Sequence, residues 1–239
     1  MENSIWNTNK LSIDNKSVWT QNIGYNNFSS KSSSFDIQHV SKPIPIFSTI
    51  LADYVEFNKY LKKTILEHRQ KFPETTKSNV KAWHSSWMTH IENPKFTPLV
   101  DRILDACSFI STGYFQAQSD LKFTPFNFWV MMYEEGEHTI RHSHFPSDFS
   151  AVYYVDVEPD CAPILFEVPQ EDGVNDKCET FALHPKNGML AIWPSILHHE
   201  VPPTKGRRMC ASMNIDKDQF TKFPSSVPID ISKKLIKNE

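Results

Sequence analysis

The stretch His138–Pro146 reads HTIRHSHFP and sets three histidines within seven positions. It lies between two apolar runs, FNFWVMMY and FSAVYYVDV. Residues two apart in an extended chain point to the same side, so His142 and His144 can face one ion from a single strand end. A third ligand then has to come from elsewhere, and WPSILHHEVPPTKGRRMCASMNI offers His198 or His199 at a strand edge. In that segment Arg208 opens a further strand, and arginine grips carboxylates with two parallel hydrogen bonds. Two adjacent imidazoles, a distant third and a downstream guanidinium suit a non-haem metal that works with an acidic co-substrate. An isolated HxH is also compatible with a polar surface turn, because histidine is commonly a partly exposed residue. His138 is expected in a loop near the site, and His184, before the PKNG turn, at the surface.

The elements that must position these residues follow from pattern. Residues 1–42, rich in Asn, Ser and Lys around NNFSSKSSS, show no sustained period and are expected to form a flexible low-complexity arm. A short extended piece, Ile44 to Ile50, leads into a helix over about 52–70, with Tyr54, Phe57, Leu61 and Ile65 at steps of three and four. A second helix over about 98–112 is announced by Thr97 as N-cap and Pro98 at its first position. Leu99, Ile103, Cys107 and Ile110 form its apolar face, and Gly113 is a plausible stop. From about residue 126 to 216 the texture becomes short apolar runs separated by EEG, EPDCAP, QEDGVND and HPKNG, which reads as all β. The expected fold is therefore mainly β with N-terminal helices, a jelly roll or cupin-like core buttressed by two α-helices. An immunoglobulin sandwich fits less well, since its Cys, Trp, Cys spacing is missing. Residues 217–239 are left as a C-terminal extension.

Composition narrows the function classes. A chain of 239 residues can bury a substantial core as one domain, here expected over 43–216. A net charge of −3 with dispersed lysines gives no basic footprint for nucleic acid. No run approaches membrane-spanning length, and MENSIWNTNKLSIDN has neither a cationic start nor a cleavage site, so a soluble, cytoplasmic protein is expected. Cys107, Cys161, Cys178 and Cys210 form no CxxC pair and read as structural, reduced thiols.

Five segments in order, NFWVMMYEEG, HSHFP, FSAVYYVDV, HPKNGMLAIWPSILHHEVPP and RMCASMNI, together resemble the 2-oxoglutarate and Fe(II)-dependent oxygenases. The nearest likeness is to a phage and bacterial branch of that superfamily, more distantly similar to prolyl hydroxylases, and AWHSSW at 82–87 adds to it. The resemblance implies a double-stranded β-helix, Fe(II) as cofactor, and 2-oxoglutarate and O2 as co-substrates. It places His142 as the first metal ligand and His199 as the distal one, with His198 as alternative. It also implies that Arg208 binds the far carboxylate of 2-oxoglutarate, with Tyr153 sharing it and Tyr154 facing the opposite way. Cys210, Ser212 and Asn214 follow on the Arg208 face of the strand, and Ser212 joins the co-substrate site.

One position departs from the common H-x-D or H-x-E pattern, because His144 stands where most of the superfamily has a carboxylate. Three readings stay open here: His144 is the third ligand, a carboxylate such as Asp148 or Glu167 reaches in, or the metal has been lost. The resemblance implies a dioxygenase that hydroxylates a protein side chain or small molecule, releasing succinate and CO2. Two alternatives remain: a metal-free β-barrel used for binding or assembly, and a three-histidine cupin-type dioxygenase or isomerase that uses no 2-oxoglutarate. The loops HFPSD and QEDGVNDK and the region of Trp83 and Trp87 should select the substrate.

Overall fold

The structure is a computed structural model, and it describes residues 20–25, 33–41, 44–73, 79–117, 121–168 and 179–218. In chain order these form β1 (Thr20–Tyr25), β2 (Ser33–Ser41), β3 (Ile44–Ile50), α1 (Tyr54–Lys71), β4 (Val80–Lys81), β5 (Trp83–His84), α2 (Thr89–Glu92) and α3 (Thr97–Gly113). There follow β6 (Phe123–Tyr133), β7 (His138–His142), β8 (Phe149–Val157), β9 (Ile164–Val168), β10 (Glu179–Leu183), β11 (Met189–Pro194), β12 (His199–Val201) and β13 (Arg208–Lys217). Two antiparallel sheets face each other, a large one in the order β1-β2-β3-β11-β8-β13-β6-β5 and a small one in the order β10-β9-β12-β7-β4. This is a mostly β, double-stranded β-helix arrangement.

The central strands β8, β11 and β13 of the large sheet are buried on both faces, which explains why they read as nearly unbroken apolar runs. Along β13, Met209, Ala211, Met213 and Ile215 pack with Leu61, Ile65, Leu99, Ile103 and Ile110 of the two long helices. The intervening Cys210 joins Trp129, Tyr133, Val152, Tyr154 and Phe166 between the sheets. Alternation thus divides one strand between a scaffold core and an inner core that surrounds the site.

The helices differ from expectation in detail. Helix α1 buries Asn58, Leu61, Thr64, Ile65 and His68, a stripe turned past Tyr54 and Phe57. Its start presses on Gly188, which adopts φ 79° and where a Cβ would lie 2.3 Å from the Tyr54 ring, so only glycine admits that approach. Helix α3 follows a short 3-10 turn, Pro94–Phe96, with Phe96 rather than Thr97 as its cap. Segments 20–25 and 33–41, expected in a flexible arm, form a hairpin of strands that pairs onto β3. Residues 219–239, Cys178 and the whole QEDGVND loop lie outside the described residues.

One irregularity bears on the site. Where β13 pairs with β8, Met209 lies opposite Asp156 and Cys210 opposite Tyr154, so Val155 is an extra residue in β8. Asn58 reaches from α1 to this point, its Nδ2 donating to the Val155 carbonyl at 2.6 Å.

Candidate metal centre

Strand pairing assembles the histidines. His199 of β12 sits directly opposite His142 of β7, and directly opposed residues share a face. His144 follows in the turn after β7, held there by its backbone N–H donating to the Ser195 carbonyl at 2.9 Å. One potential ligand atom from each of His142, His144 and His199 lies within 4.8 Å of the other two. The ring centroids are 4.4 to 5.1 Å apart.

Backbone carbonyls fix the tautomer of two of these rings. His142 Nδ1 is 2.8 Å from the Ile140 carbonyl, and His199 Nδ1 is 3.0 Å from the Leu197 carbonyl. A carbonyl only accepts, so each Nδ1 carries the proton and each Nε2 keeps its lone pair for a metal. Burial lowers the pKa of all three imidazoles, that of His144 to about 3, and their mutual repulsion adds to this at His144 and His199. The rings are therefore neutral near pH 7, the form that ligates.

The carboxylates considered as replacements for His144 are engaged elsewhere. Asp148 accepts from the Lys217 backbone N–H at 2.8 Å and pairs with its ammonium at 3.1 Å, and Glu167 is ion-paired to Arg141. His198, next to His199, is outside the cluster, and the Glu167 backbone N–H donates to its carbonyl at 3.0 Å. Neither His138 nor His184 belongs to the cluster.

Arg208 lines the same cleft as the three histidines, together with Ser212 and Trp193. Arg208 is only 2% exposed; its guanidinium donates to the Ala162 carbonyl at 3.1 Å and to Cys210 Sγ at 3.9 Å, while Nε has no partner among the described residues. The rings of Tyr133 and Tyr154 lie 4.8 and 5.2 Å from its central carbon. Among the described residues it forms no ion pair, and a permanently charged group in such a place is costly without an anion. The Tyr154 hydroxyl is likewise buried without a partner among the described residues, and burial pushes its pKa up, so it stays a proton donor. The cavity volume is about 40 Å³, room for a few waters.

The structure corrects one expectation. Tyr153 does not face the arginine: it lies opposite Ala211 on the helix side of the sheet, and its hydroxyl donates to Asn58 Oδ1 at 2.6 Å. Tyr154, opposite Cys210, is the tyrosine beside Arg208. Sequence reasoning also missed Asn58, a polar residue on the buried face of α1 that belongs to no recognisable motif.

Residues 127–214 match a protein-family model described as "Putative 2OG-Fe(II) oxygenase". The β-core is similar to that of 2-oxoglutarate/Fe(II) oxygenases. A prolyl-4-hydroxylase from Pseudomonas putida superposes with a TM-score of 0.51 at 17% identity, covering 71% of this chain and 91% of that one. A prolyl hydroxylase from Trichoplax adhaerens, solved with a hypoxia inducible factor peptide, gives 0.51 at 16% identity, covering 71% and 83%. HygX from Streptomyces hygroscopicus, solved with nickel and 2-oxoglutarate, gives 0.52 at 9% identity, covering 75% and 85%. No curated protein sequence matches the chain. The three neutral imidazoles fit Fe(II), and with one negative charge fewer than a two-histidine, one-carboxylate set they also favour later divalent ions. No helix among the described residues is long and apolar enough to cross a membrane.

Proposed function

We propose that this oxygenase fold is a 2-oxoglutarate- and Fe(II)-dependent dioxygenase that hydroxylates a protein side chain or a small molecule. The observation that carries the reading is a single cleft lined by three convergent imidazoles and by a buried arginine that forms no ion pair among the described residues. His142, His144 and His199 would hold the metal. Iron, when bound, supplies the activation of O2 that couples decarboxylation of 2-oxoglutarate to succinate and CO2 with insertion of one oxygen atom into a substrate C–H bond.

The chain's own task is placement. Arg208 binds the far carboxylate of 2-oxoglutarate, which supplies the charge missing beside the guanidinium. The Tyr154 hydroxyl donates to the same carboxylate, and Ser212, two residues beyond Cys210 on the Arg208 face of β13, lines the path between arginine and histidines. The ring of Tyr133, fixed by its hydroxyl contact with Thr139 at 2.7 Å, keeps water from the guanidinium. No side chain has to act as nucleophile or general base.

The unpaired Arg208 favours this reading over a cupin-type enzyme without 2-oxoglutarate, in which Arg208→Ala would leave turnover intact. The test is anaerobic addition of Fe(II) and 2-oxoglutarate to the purified protein, followed by admission of oxygen and an assay for succinate. A weak visible charge-transfer band and succinate formation are expected. A folded protein giving neither contradicts the assignment.

A further inference from the structure

His142 and His199 each rest on a backbone carbonyl, but His144 does not. The group beside its Nδ1 is the amide of Asn214, with Nδ2 at 3.3 Å. Behind that amide lie two buried hydroxyls: Ser150 Oγ is 3.1 Å from Asn214 Oδ1, and Ser150 Oγ and Ser195 Oγ are 2.7 Å apart. Asn214, Ser150 and Ser195 are 5%, 1% and 0% exposed, so bulk water does not compete for these bonds. Three strands supply the chain of groups, Asn214 from β13 and Ser150 from β8, with Ser195 directly after β11. The same Ser195 accepts through its carbonyl from the His144 backbone N–H.

Hydrogen-bond direction is the issue. With Nδ2 toward the ring, the amide donates to His144 Nδ1, the ring proton sits on Nε2, and that atom has no lone pair for a metal. An amide turned by half a revolution occupies the same space. Oδ1 then accepts from His144 Nδ1–H, Nδ2 donates to Ser150 Oγ, and Ser150 passes its own proton toward Ser195. Hydroxyls serve either direction, because each both donates and accepts. No proton enters or leaves the cluster; only the ring tautomer and the sense of the chain change.

We propose that Asn214, backed by Ser150 and Ser195, is a positioning residue that sets the tautomer of His144, and that metal binding selects the direction in which Asn214 accepts. This rests on the reading of the three histidines as metal ligands. It assigns to β13 a second task beyond holding Arg208, and it explains how a histidine without a backbone acceptor can serve as the third ligand.

The experiment is a titration of the metal-free protein with Co(II), followed by its visible absorption, for wild type, Asn214→Leu and Asn214→Asp. Removing an outer partner of a ligating histidine weakens binding by about 10- to 100-fold, the loss expected for Asn214→Leu. Asn214→Asp, a permanent acceptor, should bind at least as tightly as wild type. A loss for Asn214→Leu below that range, or an aspartate variant as weak as the leucine one, overturns the proposal. Wild type that takes up no Co(II) removes the metal reading itself and the proposal with it, a different outcome from equal binding by all variants. Should Asn214→Leu not fold, nitrogen-15 histidine spectra of wild type decide. His144 should pass from the Nε2–H to the Nδ1–H tautomer on adding Zn(II), with His142 and His199 as Nδ1–H throughout. A His144 ring that keeps one tautomer overturns the proposal.

Discussion

Replacing Arg208 by methionine should separate the protein's stability from its function. Within the protein the guanidinium gains a bond to the Ala162 carbonyl, a weak one to Cys210 Sγ and the faces of two tyrosine rings. A charge-assisted hydrogen bond contributes about 1.5–3 kcal/mol, and a desolvated cation over a ring about 1–2 kcal/mol. Against this stand several kcal/mol for removing the charge from water and about 1–3 kcal/mol for the unmet Nε donor. These terms nearly cancel, so Arg208→Met, similar in length and uncharged, should leave the free energy of unfolding within about 1 kcal/mol or raise it by up to about 2 kcal/mol. Binding should respond in the opposite sense. Losing one partner of a buried ion pair costs about 2–5 kcal/mol, a drop in affinity of roughly 30-fold to several thousand-fold. The assay is anaerobic urea denaturation with Mn(II) as a non-turnover metal, with and without 2-oxoglutarate. At a hundred times its Kd the ligand should add about 2.7 kcal/mol to wild type, and at the same concentration under about 1 kcal/mol to the variant. An Arg208→Met protein weakened by more than about 2 kcal/mol without ligand, or one equally stabilised by 2-oxoglutarate, would refute the reasoning.

Tyr154→Phe should weaken 2-oxoglutarate binding by about tenfold, the worth of one hydrogen bond to a charged group. Tyr153→Phe should leave that affinity unchanged yet lower stability by about 1–2 kcal/mol, because Asn58 Oδ1 loses its buried donor; calorimetric titration and urea midpoints distinguish the two. His142→Ala should abolish metal uptake and succinate formation while His184→Ala retains both, and equal effects would contradict the site. The metal-free protein should lose stability on acidification from about pH 6.5 toward pH 3. There the unfolded histidines bind protons that buried His142, His144 and His199 refuse, so the unfolded state gains as pH falls. The slope should reach up to about 1.4 kcal/mol per pH unit for each histidine, and a flat unfolding profile between pH 7 and 5 would contradict it.

The histidine pair was read from its spacing of two, although His144 lies in the turn after β7, and His199 from the likeness of PSILHHEV to the family pattern, whereas the distance from Arg208 and Pro202 pointed to His198. Which tyrosine of VYYV meets Arg208 was not legible. Both residues suit a strand buried on two faces, and no polar and apolar alternation marks which side is inner. The helical stripe of α1 was read one step early, since aromatic Tyr54 and Phe57 outweigh buried Asn58 and Thr64 in any apolar pattern. Asn214 was placed on the Arg208 face of its strand by alternation, but Ser150 and Ser195 left no signal, as each is a polar residue in an apolar run whose meaning comes only from neighbours on other strands.

The extra residue at Val155 decides where one carboxylate points. Were β8 and β13 paired residue for residue from Tyr154 and Cys210 onward, Asp156 would stand opposite Arg208 and turn toward it. Instead Val157 holds that place, and Asp156 faces α1, bonded to Lys62 at 2.5 Å. An arginine closed by its own aspartate would be electrically content and indifferent to metabolites. By miscounting once, the strand leaves the guanidinium without an ion-pair partner among the described residues, so that under the proposed function occupancy would follow the concentration of small dicarboxylates, and succinate formed in the cleft would compete with the next 2-oxoglutarate for the same cation.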